Sequence, residues 1–86
     1  MTRRTRDVIL QAIVDGEKVT TRVAPDDLPM VMTLVARYIT GEFRSGQTIE
    51  RLYNDRSGQV RRFKAKFTQE QAIEYRRQLV DKGYWK

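Results

Sequence analysis

The sequence contains no cysteine and no histidine among its 86 residues. It therefore offers no disulfide, no thiolate or imidazole ligand for a metal, no thiol nucleophile and no imidazole base. Two carboxylates or a magnesium ion held by oxygen ligands could still support catalysis, but the acidic residues are scattered along the chain. We therefore expect a binding protein rather than an enzyme, with no metal and no cofactor.

Long apolar runs are also missing, and no window approaches the roughly 20 apolar residues that a helix needs to cross a bilayer. The start of the chain, Met1-Thr2-Arg3-Arg4, leads into charged residues rather than into the apolar stretch of a signal peptide. We therefore expect a cytoplasmic protein that does not bind a membrane. A phage, a plasmid or a bacterium would be a suitable source for so small a regulator.

Positive charge is abundant, since 17 Lys and Arg residues outnumber 11 Asp and Glu residues and give a formal net charge of +6. A chain of this length has room for one hydrophobic core and no second domain. We expect a flexible basic N-terminal arm over residues 1–7 and a single α+β domain over residues 8–86.

Two stretches of alternating apolar residues predict a first hairpin over residues 8–23. Asp15-Gly16 lies between them, and this pair favours a tight turn because both central residues of a type I′ turn need a positive φ. A second hairpin is predicted from residues 48–53 and 59–67 around a turn rich in Asn, Asp, Ser and Gly. In its second strand, Phe63, Ala65 and Phe67 point to one side, and Arg62, Lys64 and Lys66 point to the other.

Two helices are predicted, one after each hairpin. Apolar residues recur at helical spacing from Leu28 to Ile39, with Asp26 or Asp27 as the cap, Pro29 in the first turn and Gly41 at the end. The second helix begins at a capping box formed by Thr68 and Gln71 and runs to about residue 82, with Gly83 at its end. We expect the aromatic pair that follows, Tyr84-Trp85, to fold back on the core.

The order ββαββα predicts a four-stranded, mainly antiparallel sheet with both helices on one face and the other face open. The pattern of the first half fits that of the second when shifted by 41 places, which suggests a pseudo-twofold ββα repeat. The alternative is a homodimer in which two chains share such units.

The second hairpin and the arm carry the residues that we expect to bind nucleic acid, either DNA or RNA. A row of cations on one face of a strand attracts a phosphate backbone, and arginine arms become ordered on nucleic acid. The candidate residues are Arg3, Arg4, Arg6, Arg51, Arg56, Arg61, Arg62, Lys64 and Lys66.

The first helix suggests an alternative function. Four of its residues, Met30, Met32, Leu34 and Tyr38, would form an adaptable apolar patch if they were exposed. In this interpretation the protein is a small regulator or inhibitor that contacts a larger protein assembly, and its charge directs it to an acidic surface.

Overall fold

The computed structural model describes residues 7–55 and 57–86. These residues form two β-hairpins, each followed by an α-helix, which confirms the predicted α+β class and the order ββαββα. The elements are β1 (Val8–Val14), β2 (Glu17–Val23), a short 3₁₀ turn (Pro25–Asp27), α1 (Leu28–Ile39), β3 (Thr48–Asn54), β4 (Val60–Lys66) and α2 (Gln69–Asp81). Within the described ranges, neither helix is long and apolar enough to span a membrane.

The first hairpin forms as its turn residues predict. Asp15 and Gly16 have φ angles of 52° and 80°, the left-handed values that a type I′ turn requires. β1 and β2 then pair in antiparallel register along their whole length. Because side chains alternate along a strand, one face of β1 is buried through Val8, Leu10 and Ala12, and Ile9 and Ile13 are exposed on the other.

α1 begins at the predicted position, but not with the predicted side-chain cap. Asp27 occupies the N-cap position, and its carboxylate accepts no hydrogen bond from the first turn. That carboxylate lies instead near the guanidinium of Arg61. Pro29 falls in the first turn, where its missing N–H is not needed. Gly41, with a φ of 82°, follows the helix as predicted.

α2 begins at the predicted capping box. The Thr68 hydroxyl accepts a hydrogen bond of 2.9 Å from the backbone N–H of Gln71. The Gln71 side chain in turn accepts one of 3.3 Å from the backbone N–H of Thr68. Beyond the helix, Trp85 packs against the core as expected, whereas Tyr84 stays half exposed.

Three buried aromatic side chains connect the two halves of the molecule. The ring centroids of Tyr38 and Phe67 are 5.4 Å apart, and those of Phe67 and Tyr75 are 5.5 Å apart. At one end of this row, the Tyr75 hydroxyl lies 2.7 Å from the hydroxyl of Thr21 on β2. At the other end, the Tyr38 hydroxyl donates to the carbonyl of Gln47, next to β3. Both phenols therefore combine buried rings with satisfied hydroxyl groups.

The outer edge of β1 is partly covered by α2. The backbone N–H of Gln11 donates to the side-chain oxygen of Gln78 at 2.9 Å, and the side-chain amide of Gln78 donates back to the Gln11 carbonyl. The Gln78 amide thus makes the two hydrogen bonds that a neighbouring strand would make at this position.

The strands form two separate two-stranded antiparallel sheets, β1–β2 and β3–β4, rather than the single four-stranded sheet that we expected. The side chain of Gln78 on α2 occupies the edge of β1 at Gln11, where another strand would otherwise pair, and aromatic side chains connect the halves. The two helices pack against each other, and α2 also packs against β1. The ββα repeat and the homodimer stay predictions.

We expect Tyr38→Phe to lower the free energy of unfolding by about 1–2 kcal/mol. The substitution removes the hydroxyl that donates to the backbone carbonyls of Gln47 and Ala65. Denaturation by urea, followed by circular dichroism, measures the change. Tyr84→Phe, at a half-exposed ring, is the control and should change the value by less than about 0.5 kcal/mol. Equal losses in the two variants would contradict this role for Tyr38.

Candidate nucleic-acid interface

The ribbon formed by β3 and β4 has two chemically different faces, because cross-strand partners share a face and neighbours along a strand alternate. We call the face that packs toward the core the inner face; it carries Ile49, Arg51, Tyr53, Arg61, Phe63 and Ala65. The opposite face is the outer face, and all of its residues are exposed: Thr48, Glu50, Leu52, Asn54, Val60, Arg62, Lys64 and Lys66.

Three of the predicted binding residues, Arg62, Lys64 and Lys66, lie together on the outer face. The Nε atom of Arg62 is 3.6 Å from a carboxylate oxygen of Glu50, and the two side chains are 71% and 49% exposed. An ion pair this open to water contributes little and is readily exchanged for another anion. Neither Lys64 nor Lys66 forms an ion pair with any residue in the described ranges. The outer face therefore presents three cations against one carboxylate.

Arg61 has a different environment from its neighbour Arg62. Its guanidinium lies 3.8 Å from a carboxylate oxygen of Asp27, at the start of α1, and 3.7 Å from one of Asp55, at the tip of the ribbon. The Asp55 side chain is only 6% exposed. Because Arg61 bridges these two carboxylates, it connects the ribbon tip to α1 rather than joining the row of cations.

Asp55 organises the turn between β3 and β4. One of its carboxylate oxygens accepts hydrogen bonds from the hydroxyl of Ser57 at 2.6 Å, from the backbone N–H of Ser57 at 2.9 Å and from that of Gln59 at 3.0 Å. The Ser57 hydroxyl contributes most to lowering the pKa of Asp55, and the two backbone N–H groups and the charge of Arg61 lower it further against the opposing effect of burial. The carboxylate is therefore held in its charged form.

Arg51 also belongs to the inner face, where it lies opposite Phe63. Its guanidinium carbon is 5.8 Å from the centroid of the Phe43 ring, within the range of a cation–π contact. The guanidinium of Arg37 approaches the same ring at 5.9 Å. The structure thus separates Arg51 and Arg61 from the three outer-face cations with which the sequence grouped them.

The apolar patch suggested for α1 is largely part of the core. Leu34 and Tyr38 are each only 1% exposed, and Met30 and Met32 are partly buried against the same core. Leu34 and Tyr38 are therefore not exposed as the alternative required, because they belong to the buried side of α1, which packs against α2.

Two exposed apolar residues that we did not nominate also lie on the outer face. Leu52 is 66% exposed and Val60 is 69% exposed. Val60 and Arg62 are two positions apart on β4, and Leu52 is paired with Arg62, so all three side chains lie on the same face. The alternation of residues along the two strands could therefore have predicted the exposure of Leu52 and Val60.

Four nominated residues, Arg3, Arg4, Arg6 and Arg56, lie outside the described residues. Among the residues that are described, no group of three or more acidic side chains is placed to hold a metal ion. Comparison with protein-family models, with curated proteins and with solved structures finds no match to this chain. The functional evidence is therefore the geometry of the outer face.

The lowered pKa of Asp55 predicts that acid destabilises the ribbon tip. Its carboxylate stabilises the folded state fully above the ordinary pKa of about 3.9, and this contribution is lost as the pH falls through the lowered value. The midpoint of thermal unfolding of Asp55→Asn should therefore fall less than that of the wild type between neutral pH and about pH 3. Asp15→Asn, in the other hairpin, is the control and should behave as the wild type. The prediction fails if Asp55→Asn keeps the full acid sensitivity.

Proposed function

We propose that this protein binds nucleic acid, without catalysing a reaction, through the outer face of the β3–β4 ribbon. The observation that carries this proposal is the row of Arg62, Lys64 and Lys66 on one exposed face, where Glu50 is the one acidic residue among the described residues of β3 and β4 on that side. The formal net charge of +6 adds a long-range attraction for any polyanion.

The spacing of the row suits a phosphate backbone. Alternate residues of a strand lie about 6.6 Å apart, so the three cations span about 13 Å. One strand of a duplex rises about 3.4 Å per nucleotide and presents about four phosphates over that distance. Each phosphate that a cation neutralises releases condensed counterions, and this release favours binding in dilute salt.

The arginine-rich arm supplies further contacts in this proposal. Arg3, Arg4 and Arg6 precede β1 in the sequence, and Arg56 stands between β3 and β4 in the sequence. Because a polybasic segment gains its contacts only when a polyanion is near, we assign the arm an accessory role that strengthens binding without selecting a sequence.

The outer-face cations are tested by neutralising all three. The variant Arg62→Gln/Lys64→Gln/Lys66→Gln should bind an unrelated duplex more weakly, and its plot of log affinity against log salt should be shallower by about 2–3 units. Fluorescence anisotropy at several salt concentrations measures both quantities. Thermal unfolding should be nearly unchanged because all three side chains are exposed.

A matched control removes the same charge from other surfaces. Lys18→Gln/Arg22→Gln/Lys82→Gln changes three exposed cations that lie outside the ribbon and should retain most of the salt dependence. Equal losses in both triple variants would show that total charge, not the outer face, determines binding. Binding that is absent or independent of salt would instead favour a protein partner with an acidic surface.

The neighbouring arginines provide a second test of the same assignment. Arg62→Gln should make the salt dependence shallower by about 0.7–0.9 units and leave the midpoint of thermal unfolding unchanged. Arg61→Gln should lower that midpoint, since Asp27 and Asp55 lose their shared partner, and should leave the salt dependence almost unchanged. The reverse pattern would contradict the division between inner and outer faces.

A further inference from the structure

The outer face combines its cations with two exposed aliphatic side chains, and this combination indicates the kind of nucleic acid that it fits. Leu52 and Val60 are diagonal neighbours near the tip end of the face, next to Arg62. They are 66% and 69% exposed. Because the two side chains are adjacent and bordered by charged residues, they form a small apolar patch that a ligand could bury.

Aromatic side chains are missing from the outer face throughout the described strands. The aromatic residues of the ribbon, Tyr53 and Phe63, lie on the inner face and are half-buried. Proteins that bind single strands stack the bases on exposed aromatic rings. A face that offers aliphatic groups and cations therefore lacks the platform that a single strand requires.

The ribbon tip beyond the aliphatic pair is polar. Asp55 is charged, and Ser57, Gly58 and Gln59 precede β4. If the ribbon inserted end-on into a lipid layer, this polar turn would have to enter the apolar layer before Leu52 and Val60 could reach it. Two ribbons that met face to face would bring their cations together. Both arrangements are less favourable than one in which the face lies along a polyanion.

Resting on the function proposed above, we infer that the ligand is duplex DNA and that Leu52 and Val60 form an apolar wedge that kinks it. Apolar side chains that enter the minor groove partly unstack a base step and bend the duplex toward the major groove. In this arrangement Arg62, Lys64 and Lys66 contact the phosphates beside the opened step. The wedge supplies the apolar contact, and the cations supply the salt-dependent attraction.

DNA is favoured over duplex RNA by the shape of the grooves. B-form DNA has a minor groove about 6 Å wide, which a wedge opens as it enters, and its pyrimidine–purine steps unstack easily. The minor groove of A-form RNA is wide and shallow, so an aliphatic pair resting in it gains little by separating the bases. The preference should therefore follow the deformability of the DNA rather than a particular sequence.

The experiment compares bending with binding. A duplex of about 25 base pairs, with a central TA step and fluorophores at both ends, reports its end-to-end distance by energy transfer while anisotropy reports affinity. The wild type should shorten the distance and should bind a duplex carrying two unpaired central bases about tenfold more tightly than the fully paired one. Leu52→Thr/Val60→Thr should lose both effects and keep the salt dependence.

The substitutions preserve the fold because threonine is a good strand residue and both positions are exposed. The control Ile9→Thr/Ile13→Thr changes two exposed strand residues of the first hairpin and should bend DNA as the wild type does. Thermal unfolding of all variants confirms that they are folded at the temperature of the assay.

Three outcomes overturn the wedge while leaving nucleic-acid binding in place: bending by Leu52→Thr/Val60→Thr equal to that of the wild type, tighter binding to single strands, or tighter binding to duplex RNA. Binding to vesicles of anionic phospholipid that depends on Leu52 and Val60, without any bending of DNA, would assign the face to a membrane surface. If no nucleic acid binds in a salt-dependent way, the function proposed above fails, and the wedge fails with it.

Discussion

Contact among Tyr38, Phe67 and Tyr75 joins the two halves of this small protein. In the described structure each strand pairs only with the other strand of its own hairpin. The position of the first hairpin and α1 relative to the second hairpin and α2 therefore depends on side-chain contacts. Aromatic pairs of this kind contribute about 0.5–1.5 kcal/mol beyond the burial of their area. The hydroxyl contacts of Tyr75 with Thr21 and of Tyr38 with Gln47 extend the row into both hairpins. Because Phe67 directly follows β4, the row also fixes the base of the β3–β4 ribbon to the core.

The basic residues of the ribbon have two different roles. Arg61 and Arg62 are adjacent, yet one lies between the carboxylates of Asp27 and Asp55, and the other meets water beside Glu50. The alternation of a strand separates them, and the nearby carboxylates determine which of them stays available. A cluster of basic residues along the chain is thereby divided into a contact that holds the ribbon in place and a surface that is open to a ligand.

The same alternation sorts the remaining ribbon residues by chemistry. Aromatic side chains pack inward with the core, and the outer face retains cations and the aliphatic pair Leu52 and Val60. A nucleic-acid ligand on such a face would be recognised by its phosphates and by its resistance to bending rather than by its base edges.

Local features were predictable from the sequence because their causes lie within a few residues. These local features include the Asp15-Gly16 turn and the capping box formed by Thr68 and Gln71. They also include the spacing of apolar residues within each strand and helix. The separation into two sheets was not predictable, because the hydrogen bonds between Gln11 and Gln78 at the edge of β1 join residues 67 positions apart. The contact of Arg61 with Asp27 was hidden for the same reason, because these residues belong to different halves of the sequence. The alternation of residues in the sequence predicts on which face of a strand a side chain lies. Only the tertiary structure determines which other residues that side chain contacts.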